Sequence, residues 1–179
     1  MRLNSVMILK ALLYFIFHHS HPQKADVRPA EGIDLNRYLG RWYEQARFDT
    51  PFEHDLEEVF AEYKIRPDGN INITNSGVNG KHRRIEAHAL GYPDGNGRMK
   101  VSFIPFLRCL TLPYNILFVD ELYEHAIVSN DDASCLWFMS RHPVCNPDDF
   151  EIMRQEAIRR GFNLHYLHYT HHRYSHNQE

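Results

Sequence analysis

The chain is organised around one stretch near its start, Asn36-Arg37-Tyr38-Leu39-Gly40-Arg41-Trp42-Tyr43-Glu44-Gln45-Ala46-Arg47-Phe48. Gly40 and Trp42 form a Gly-X-Trp triplet where a polar, turn-prone segment gives way to a run typical of a β-strand. A glycine lets the backbone bend or approach another group closely at the start of a strand. The indole two residues later is a large apolar group whose N–H needs a partner when it is buried. The triplet therefore predicts a strand that begins at a bend and carries a buried tryptophan.

Length, composition and charge indicate one soluble domain. The chain has 179 residues, which is enough to bury a core without cross-links. Its net charge of -3 offers no basic face to nucleic acid, so we expect no nucleic-acid partner. The three cysteines, Cys109, Cys135 and Cys145, lack the spacing of metal ligands. Either Cys135 and Cys145 form a bridge, or all three are free thiols.

From Gly40 onward, apolar and polar residues alternate in short runs separated by turn signals. Pro67-Asp68-Gly69-Asn70 predicts a turn, because proline presets one dihedral and glycine or asparagine takes a positive φ. Asp94-Gly95-Asn96-Gly97 predicts a hairpin. Eight short antiparallel strands suit an up-and-down barrel that can hold one small ligand, and a sandwich fits the periodicity about as well. The predicted strands are residues 41–48, 58–65, 71–75, 84–92, 99–104, 115–120, 126–129 and 135–141.

A single helix is predicted after the strands. Asn146 is its N-cap, Pro147 takes the first helical position, and Asp148-Asp149 lie at the positive end of the helix dipole. Gly161 is expected to end the helix. An apolar stripe should pack on the outside of the sheet, and a short ninth strand should follow over residues 164–169. The stripe consists of Phe150, Met153, Ala157 and Ile158.

The first 32 residues do not share this alternating pattern. The apolar run over residues 6–17 follows Arg2 and contains Lys10; it is too short to span a bilayer and is typical of a signal peptide. We expect a signal-like segment and linker over residues 1–32, a barrel with its helix over 33–170, and a polar, histidine-rich tail over 171–179. This organisation predicts an exported protein; the alternative is a cytoplasmic protein that keeps the segment.

In combination, the motifs resemble those of the lipocalins, most closely the bacterial outer-membrane lipocalins, a group similar to apolipoprotein D. The resemblance extends from about Ile33 to Tyr169. It implies an all-β fold: an eight-stranded antiparallel up-and-down barrel with one C-terminal α-helix packed outside. The motifs are Gly40-Arg41-Trp42-Tyr43-Glu44, Lys100-Val101-Ser102-Phe103, Val119-Asp120 with Tyr123 and His125-Ala126, Leu136-Trp137, and Ser140-Arg141 with Pro143.

The resemblance also implies a function. Members of the bacterial group bind fatty acids or lysophospholipids, store or transport lipid in membrane maintenance, and in some cases dimerise. We therefore expect a small lipid ligand and a periplasmic or outer-membrane location, and we consider membrane association and a homodimer. The bacterial members are anchored through a cysteine just after the apolar run. No cysteine precedes Cys109 here, so this anchor is not carried over.

Two sets of residues receive roles. The resemblance implies that Trp42, with Gly40 beside it, closes one end of the barrel and that Arg141 packs across the indole in a cation–π contact. Large apolar or amphipathic side chains of the later strands are expected to line a mostly apolar cavity. A bulge would change which alternate residues face inward. The predicted ligand-binding residues are Phe103, Tyr114, Phe118, Trp137 and Met139, of which Tyr114 and Trp137 match aromatic positions of the bacterial group.

The sequence gives little support for catalysis or for a metal site. No Gly-X-Ser-X-Gly elbow, Walker-type loop or His-Glu-X-X-His occurs, so we expect no enzyme. His165 and His168 would point to opposite faces of an extended strand, so we expect no metal ion and no cofactor. Two alternatives stay open: an interaction protein whose barrel is filled by its own side chains, and a thiol enzyme that uses Cys109 or Cys135.

Overall fold

The structure, a computed structural model, describes residues 24–50, 53–104 and 111–173. The predicted signal-like run, Cys109 and the end of the histidine-rich tail lie outside these residues. Within the described ranges, no helix is long and apolar enough to cross a membrane.

Eight strands close into an antiparallel barrel. Each strand pairs with its neighbours in sequence, and the ring closes because β1 pairs with both β2 and β8. This closure confirms the predicted eight-stranded barrel and excludes the sandwich. The strands are β1 (Gly40–Phe48), β2 (Glu57–Ile65), β3 (Ile71–Val78), β4 (Arg84–Pro93), β5 (Arg98–Ser102), β6 (Leu112–Val119), β7 (His125–Ser129) and β8 (Leu136–Ser140).

Short elements precede and follow the barrel. A single helical turn, α1 (Leu35–Tyr38), leads into β1, and α2 (Pro147–Arg159) follows β8. The predicted ninth strand is shorter than expected, because its first half is a 3₁₀ turn (Leu164–Tyr166). The remainder, β9 (Leu167–Tyr169), pairs with the end of β1.

The helix α2 packs on the outside of the barrel, as predicted. Its N-terminus is capped by the Asn146 side chain, which accepts a hydrogen bond of 2.9 Å from the Asp148 N–H. Met153 and Ala157 are fully buried against the sheet. The prediction for Ile158 is wrong, because that side chain is 47% exposed. Successive helical residues are about 100° apart, so Ile158 lies beside the stripe rather than on it.

The described part of the predicted linker lies along the barrel wall. The Asp26 N–H donates to the Arg160 carbonyl at 2.7 Å, and the Ala30 N–H donates to the Ile116 carbonyl at 2.9 Å. Ala25 packs among the apolar residues under α2. These contacts fix the segment to the end of α2 and to β6.

One end of the barrel is closed by a tryptophan and an arginine. The connections between strands alternate between two ends, and α1 lies at the end where β1 begins, which we call the closed end; the opposite end is the mouth. The Trp42 side chain is fully buried there, and its indole N–H donates to the Tyr38 carbonyl at 2.7 Å. The guanidinium carbon of Arg141 lies 3.8 Å from the centre of the indole ring. The predicted pair thus lies across the closed end.

The guanidinium of Arg141 also holds three backbone segments together. It donates hydrogen bonds to the carbonyls of Arg37 and Arg41 at 2.8 Å each, and to that of Tyr123 at 3.0 Å. These carbonyls belong to α1, to the start of β1 and to the turn before β7. One side chain therefore joins α1 and the start of β1 to the turn between β6 and β7.

The close approach of the Arg141 guanidinium requires a glycine in the Gly-X-Trp triplet. Gly40 has a φ of +94°, which other residues rarely adopt. A Cβ at this position would lie 3.3 Å from the nearest guanidinium nitrogen of Arg141. The bend and the close approach expected at the strand start are both present.

We predict that Arg141→Lys lowers the free energy of unfolding by about 2–3 kcal/mol, since an ammonium cannot reproduce the fork of donors to three carbonyls. Urea denaturation measures the change. Arg159→Lys, at an exposed position of α2, is the matched control and should leave the midpoint unchanged. Equal midpoints for Arg141→Lys and the wild type would show that the closure does not depend on the guanidinium.

Candidate ligand site in the barrel

The apolar side chains form two clusters, one on each face of the sheet. The outer cluster lies between the sheet and α2 and includes Phe138, Leu136 and Met153. The inner cluster lies inside the barrel. It contains Tyr38, Trp42, Ala61, Tyr63, Ile71, Ile73, Ala89, Met99, Val101, Ile116, Tyr123, Ala126 and Met139, with Phe103, Tyr114, Val119 and Trp137 packed against it.

Four of the five predicted ligand-binding residues lie on the inner face. Met139 belongs to the inner cluster and is buried, whereas Phe103, Tyr114 and Trp137 pack against that cluster and are only half-buried. The three aromatic groups therefore keep part of their surface accessible on the inner face.

The prediction for Phe118 is wrong, because a bulge in β6 turns this side chain outward. The pairing of β6 with β7 shifts between Ile116 and Phe118, which leaves Leu117 as an extra residue. Leu117 and Phe118 consequently both pack in the outer cluster, while Ile116 and Val119 face inward. Phe118 lines a surface groove together with Ile152 of α2.

Three tyrosine hydroxyl groups meet inside the barrel near its closed end. The Tyr114 hydroxyl oxygen lies 2.8 Å from that of Tyr38 and 2.7 Å from that of Tyr63. We call these residues the tyrosine cluster; they come from α1, β2 and β6. Burial raises the pKa of Tyr63 to about 12, and burial with the neighbouring tyrosines raises the pKa of Tyr38 and Tyr114. All three hydroxyl groups are therefore protonated and neutral at physiological pH.

A second group of polar side chains lies toward the mouth, where β1 has a bulge. The pairing with β8 shifts between Glu44 and Ala46, and Ala46 packs in the outer cluster. Glu44 and Arg47 are both fully buried, and the guanidinium donates to the Glu44 carboxylate at 2.6 Å and to the Thr170 hydroxyl at 3.2 Å. Arg47 also donates to the Glu53 carbonyl. The ion pair thus ties the β1–β2 loop to β1 and β9.

The carboxyl group of Glu53 adds a third charged group at this position. It accepts a hydrogen bond of 3.0 Å from the Thr50 hydroxyl and one of 3.2 Å from the indole N–H of Trp137. Burial, followed by repulsion from the nearby Glu44 carboxylate, raises the pKa of Glu53 to about 7. The carboxyl is therefore close to half protonated at neutral pH, beside one of the accessible aromatic groups.

Cys135 and Cys145 are free thiols in the described part of the chain. Cys135 is buried, and burial followed by the charge of Glu53 raises its pKa. Burial followed by the charge of Asp149 raises the pKa of Cys145 to about 11. Both thiols therefore stay protonated, which is the opposite of what an activated nucleophile needs.

Sequence reasoning missed four polar residues of the interior: Tyr38, Tyr63, Arg47 and Glu53. Tyr63 carried a usable signal, because it alternates with Ala61 along β2 and both are buried. The others gave no periodic signal, since Tyr38 lies in a single helical turn, Arg47 follows a bulge and Glu53 lies in a loop. Across the described residues, no group of histidine, cysteine, aspartate and glutamate side chains is placed to hold a metal ion.

The raised pKa of Glu53 predicts a pH-dependent contribution to stability. Between the ordinary pKa of 4.5 and the folded value of about 7, the folded protein keeps a proton that the unfolded chain has released. Stability should therefore fall as pH rises through this window, by up to about 3 kcal/mol.

Glu53→Gln removes this contribution, so the variant should gain stability relative to the wild type between pH 5 and pH 8. Urea unfolding at both pH values measures the difference. Glu86→Gln, at an exposed position of β4, controls for the loss of one carboxyl group. Parallel pH profiles for the wild type and Glu53→Gln would contradict the burial of this carboxyl.

Known proteins share both the sequence and the architecture of this chain. A family model described as a lipocalin-like domain matches residues 33–172. The outer membrane lipoprotein Blc of Escherichia coli K12 is 39% identical over 144 residues, which cover 77% of this chain and 78% of the relative. Apolipoprotein D of Mus musculus is 25% identical over 145 residues, covering 75% and 74%.

The solved structures agree at the level of the fold. The cockroach allergen Per a 4 superposes with a TM-score of 0.66 at 14% identity, covering 83% of this chain and 95% of the allergen. The family model matches most of the chain, and the sequence is also similar to that of Blc. The family assignment therefore rests on sequence as well as on the fold. This chain belongs to the lipocalin family.

Proposed function

We propose that the barrel binds a small apolar or amphipathic molecule between the closed end and the mouth. The observation that carries the proposal is the half-buried state of Phe103, Tyr114 and Trp137 on the inner face. Accessible aromatic surface inside a barrel is stabilised when an apolar ligand covers it. The lipocalin family, whose members bind small hydrophobic ligands, supports the same reading.

Fatty acids and lysophospholipids are the first candidates for the ligand. Each buried CH₂ group contributes about 0.8 kcal/mol, so an acyl chain of ordinary length reaches micromolar affinity after the cost of ordering is subtracted. The relatives named outer membrane lipoproteins suggest storage or transport of lipid in membrane maintenance, at an exported, periplasmic or outer-membrane location. Association with the membrane and a homodimer belong to this proposal as well.

Two alternatives receive less support from the described residues. An interaction protein with a filled barrel would not keep three large aromatic groups accessible on its inner face. A thiol enzyme would need a thiolate, and the raised pKa values of Cys135 and Cys145 oppose one. A non-catalytic binding protein is therefore the function we propose.

Tryptophan fluorescence tests the proposal, because Trp42 and Trp137 are the two indoles of the chain. Titration with oleate or lysophosphatidylcholine should give a saturable change with a Kd on the order of micromolar. Trp42 is fully buried at the closed end and Trp137 is accessible, so Trp137→Phe should abolish most of the change.

Phe118→Ala is the matched control. Its side chain lies on the outer face, so the variant should lose stability but bind both lipids as tightly as the wild type does. Native mass spectrometry after gentle purification gives an independent readout of bound lipid. A protein that carries no lipid and responds to neither ligand would refute the carrier function.

A further inference from the structure

The three hydroxyl groups of the tyrosine cluster carry one more proton than they can place in hydrogen bonds to one another. Each hydroxyl group carries one proton and two acceptor lone pairs. Within the described residues, the hydrogen bonds of these three groups are the two to one another. Two hydrogen bonds use two protons, so the third has no acceptor inside the cluster.

The free-energy cost of a buried, unpaired donor decides which of the three hydroxyl groups is left without an acceptor for its proton. Tyr38 and Tyr63 are 1% and 3% exposed, so an unpaired proton on either would be buried without an acceptor, at a cost of desolvation. Tyr114 is half-buried and central in the cluster. The favoured arrangement has Tyr38 and Tyr63 both donating to the Tyr114 oxygen. The Tyr114 proton is then the one left without an acceptor in the cluster.

The surroundings define what this proton can bind. The groups that contact the Tyr114 hydroxyl are the hydroxyls of Tyr38 and Tyr63, and the Arg141 guanidinium lies against Trp42, on which the Tyr38 ring stacks. No cation hydrogen-bonds to the cluster among the described residues. An ionised carboxylate would thus be buried without a counter-charge, which is unfavourable. An uncharged oxygen needs only a hydrogen-bond donor, which the Tyr114 hydroxyl group supplies.

We propose that the Tyr114 hydroxyl is a binding subsite for an uncharged oxygen, an alcohol, a carbonyl or a protonated carboxyl, at the leading end of the ligand. The proposal rests on the proposed function and adds a direction to it: the molecule enters with its oxygen first. The apolar chain then extends past Met139 toward Trp137 and the mouth. A fatty acid binds in this orientation in its protonated form.

Displacement of the neutral dye N-phenyl-1-naphthylamine tests the subsite. The competitors are 1-decanol and 1-chlorodecane, which have chains of equal length but differ in the hydroxyl group. Tyr114→Phe removes the proton and keeps the ring, so decanol affinity should fall three- to tenfold. Chlorodecane affinity should change less than twofold, which also shows that the variant is folded.

A further tyrosine variant separates the subsite from general effects. Tyr43→Phe makes the same chemical change on the outer face, beside Phe60 and His172, and should change nothing. Decanoic acid should bind more weakly at pH 8 than at pH 5, and decanol, measured at both values, corrects for the titration of Glu53.

The outcomes distinguish the two proposals. Unchanged decanol affinity in Tyr114→Phe, or an equal loss for decanol and chlorodecane, would overturn the subsite and leave the carrier function standing. If neither competitor nor the dye binds the wild type, the carrier function fails together with the subsite.

Discussion

The contact of the Arg141 guanidinium with the Trp42 indole is the constraint on which the rest of the structure depends. A ring of eight strands has two open ends, and an apolar interior open at both ends would be exposed to water throughout. The arginine covers the tryptophan and ties the carbonyls of Arg37, Arg41 and Tyr123 together, which closes one end. In the function we propose, a ligand enters from the opposite end, the mouth, so its leading end lies near the tyrosine cluster.

The fold was largely predictable because it depends on features that are local in sequence. Alternation gives the strands, turn residues give the hairpins, and Asn146 with Pro147 gives the start of the helix. The faces of the strands were less predictable because two bulges change the alternation. Without the bulge in β1, Glu44 and Arg47 would lie on opposite faces, three residues apart, and their buried ion pair could not form. The bulge in β6 likewise places Phe118 on the outer face.

The candidate site was predictable only where large apolar residues continue a strand pattern. Trp137 and Met139 alternate regularly along β8, and both lie inside. Glu53 could not be found in this way, since a loop has no period and the burial of its carboxyl depends on the indole of Trp137, 84 residues away. The tyrosine cluster likewise depends on three distant elements meeting, which tertiary structure alone decides.

In the function we propose, the positions of the polar groups set the selectivity of the interior. Apolar burial is non-directional and roughly proportional to area, so the wall between the two ends stabilises many molecules of similar size. Direction and specificity come from polar groups that must find partners once water is excluded. In this barrel such groups lie near the closed end, at Tyr114, and toward the mouth, where Glu53 contacts Trp137. In the function we propose, the apolar wall therefore selects a ligand by its length, and these polar groups select it by the chemistry of its two ends.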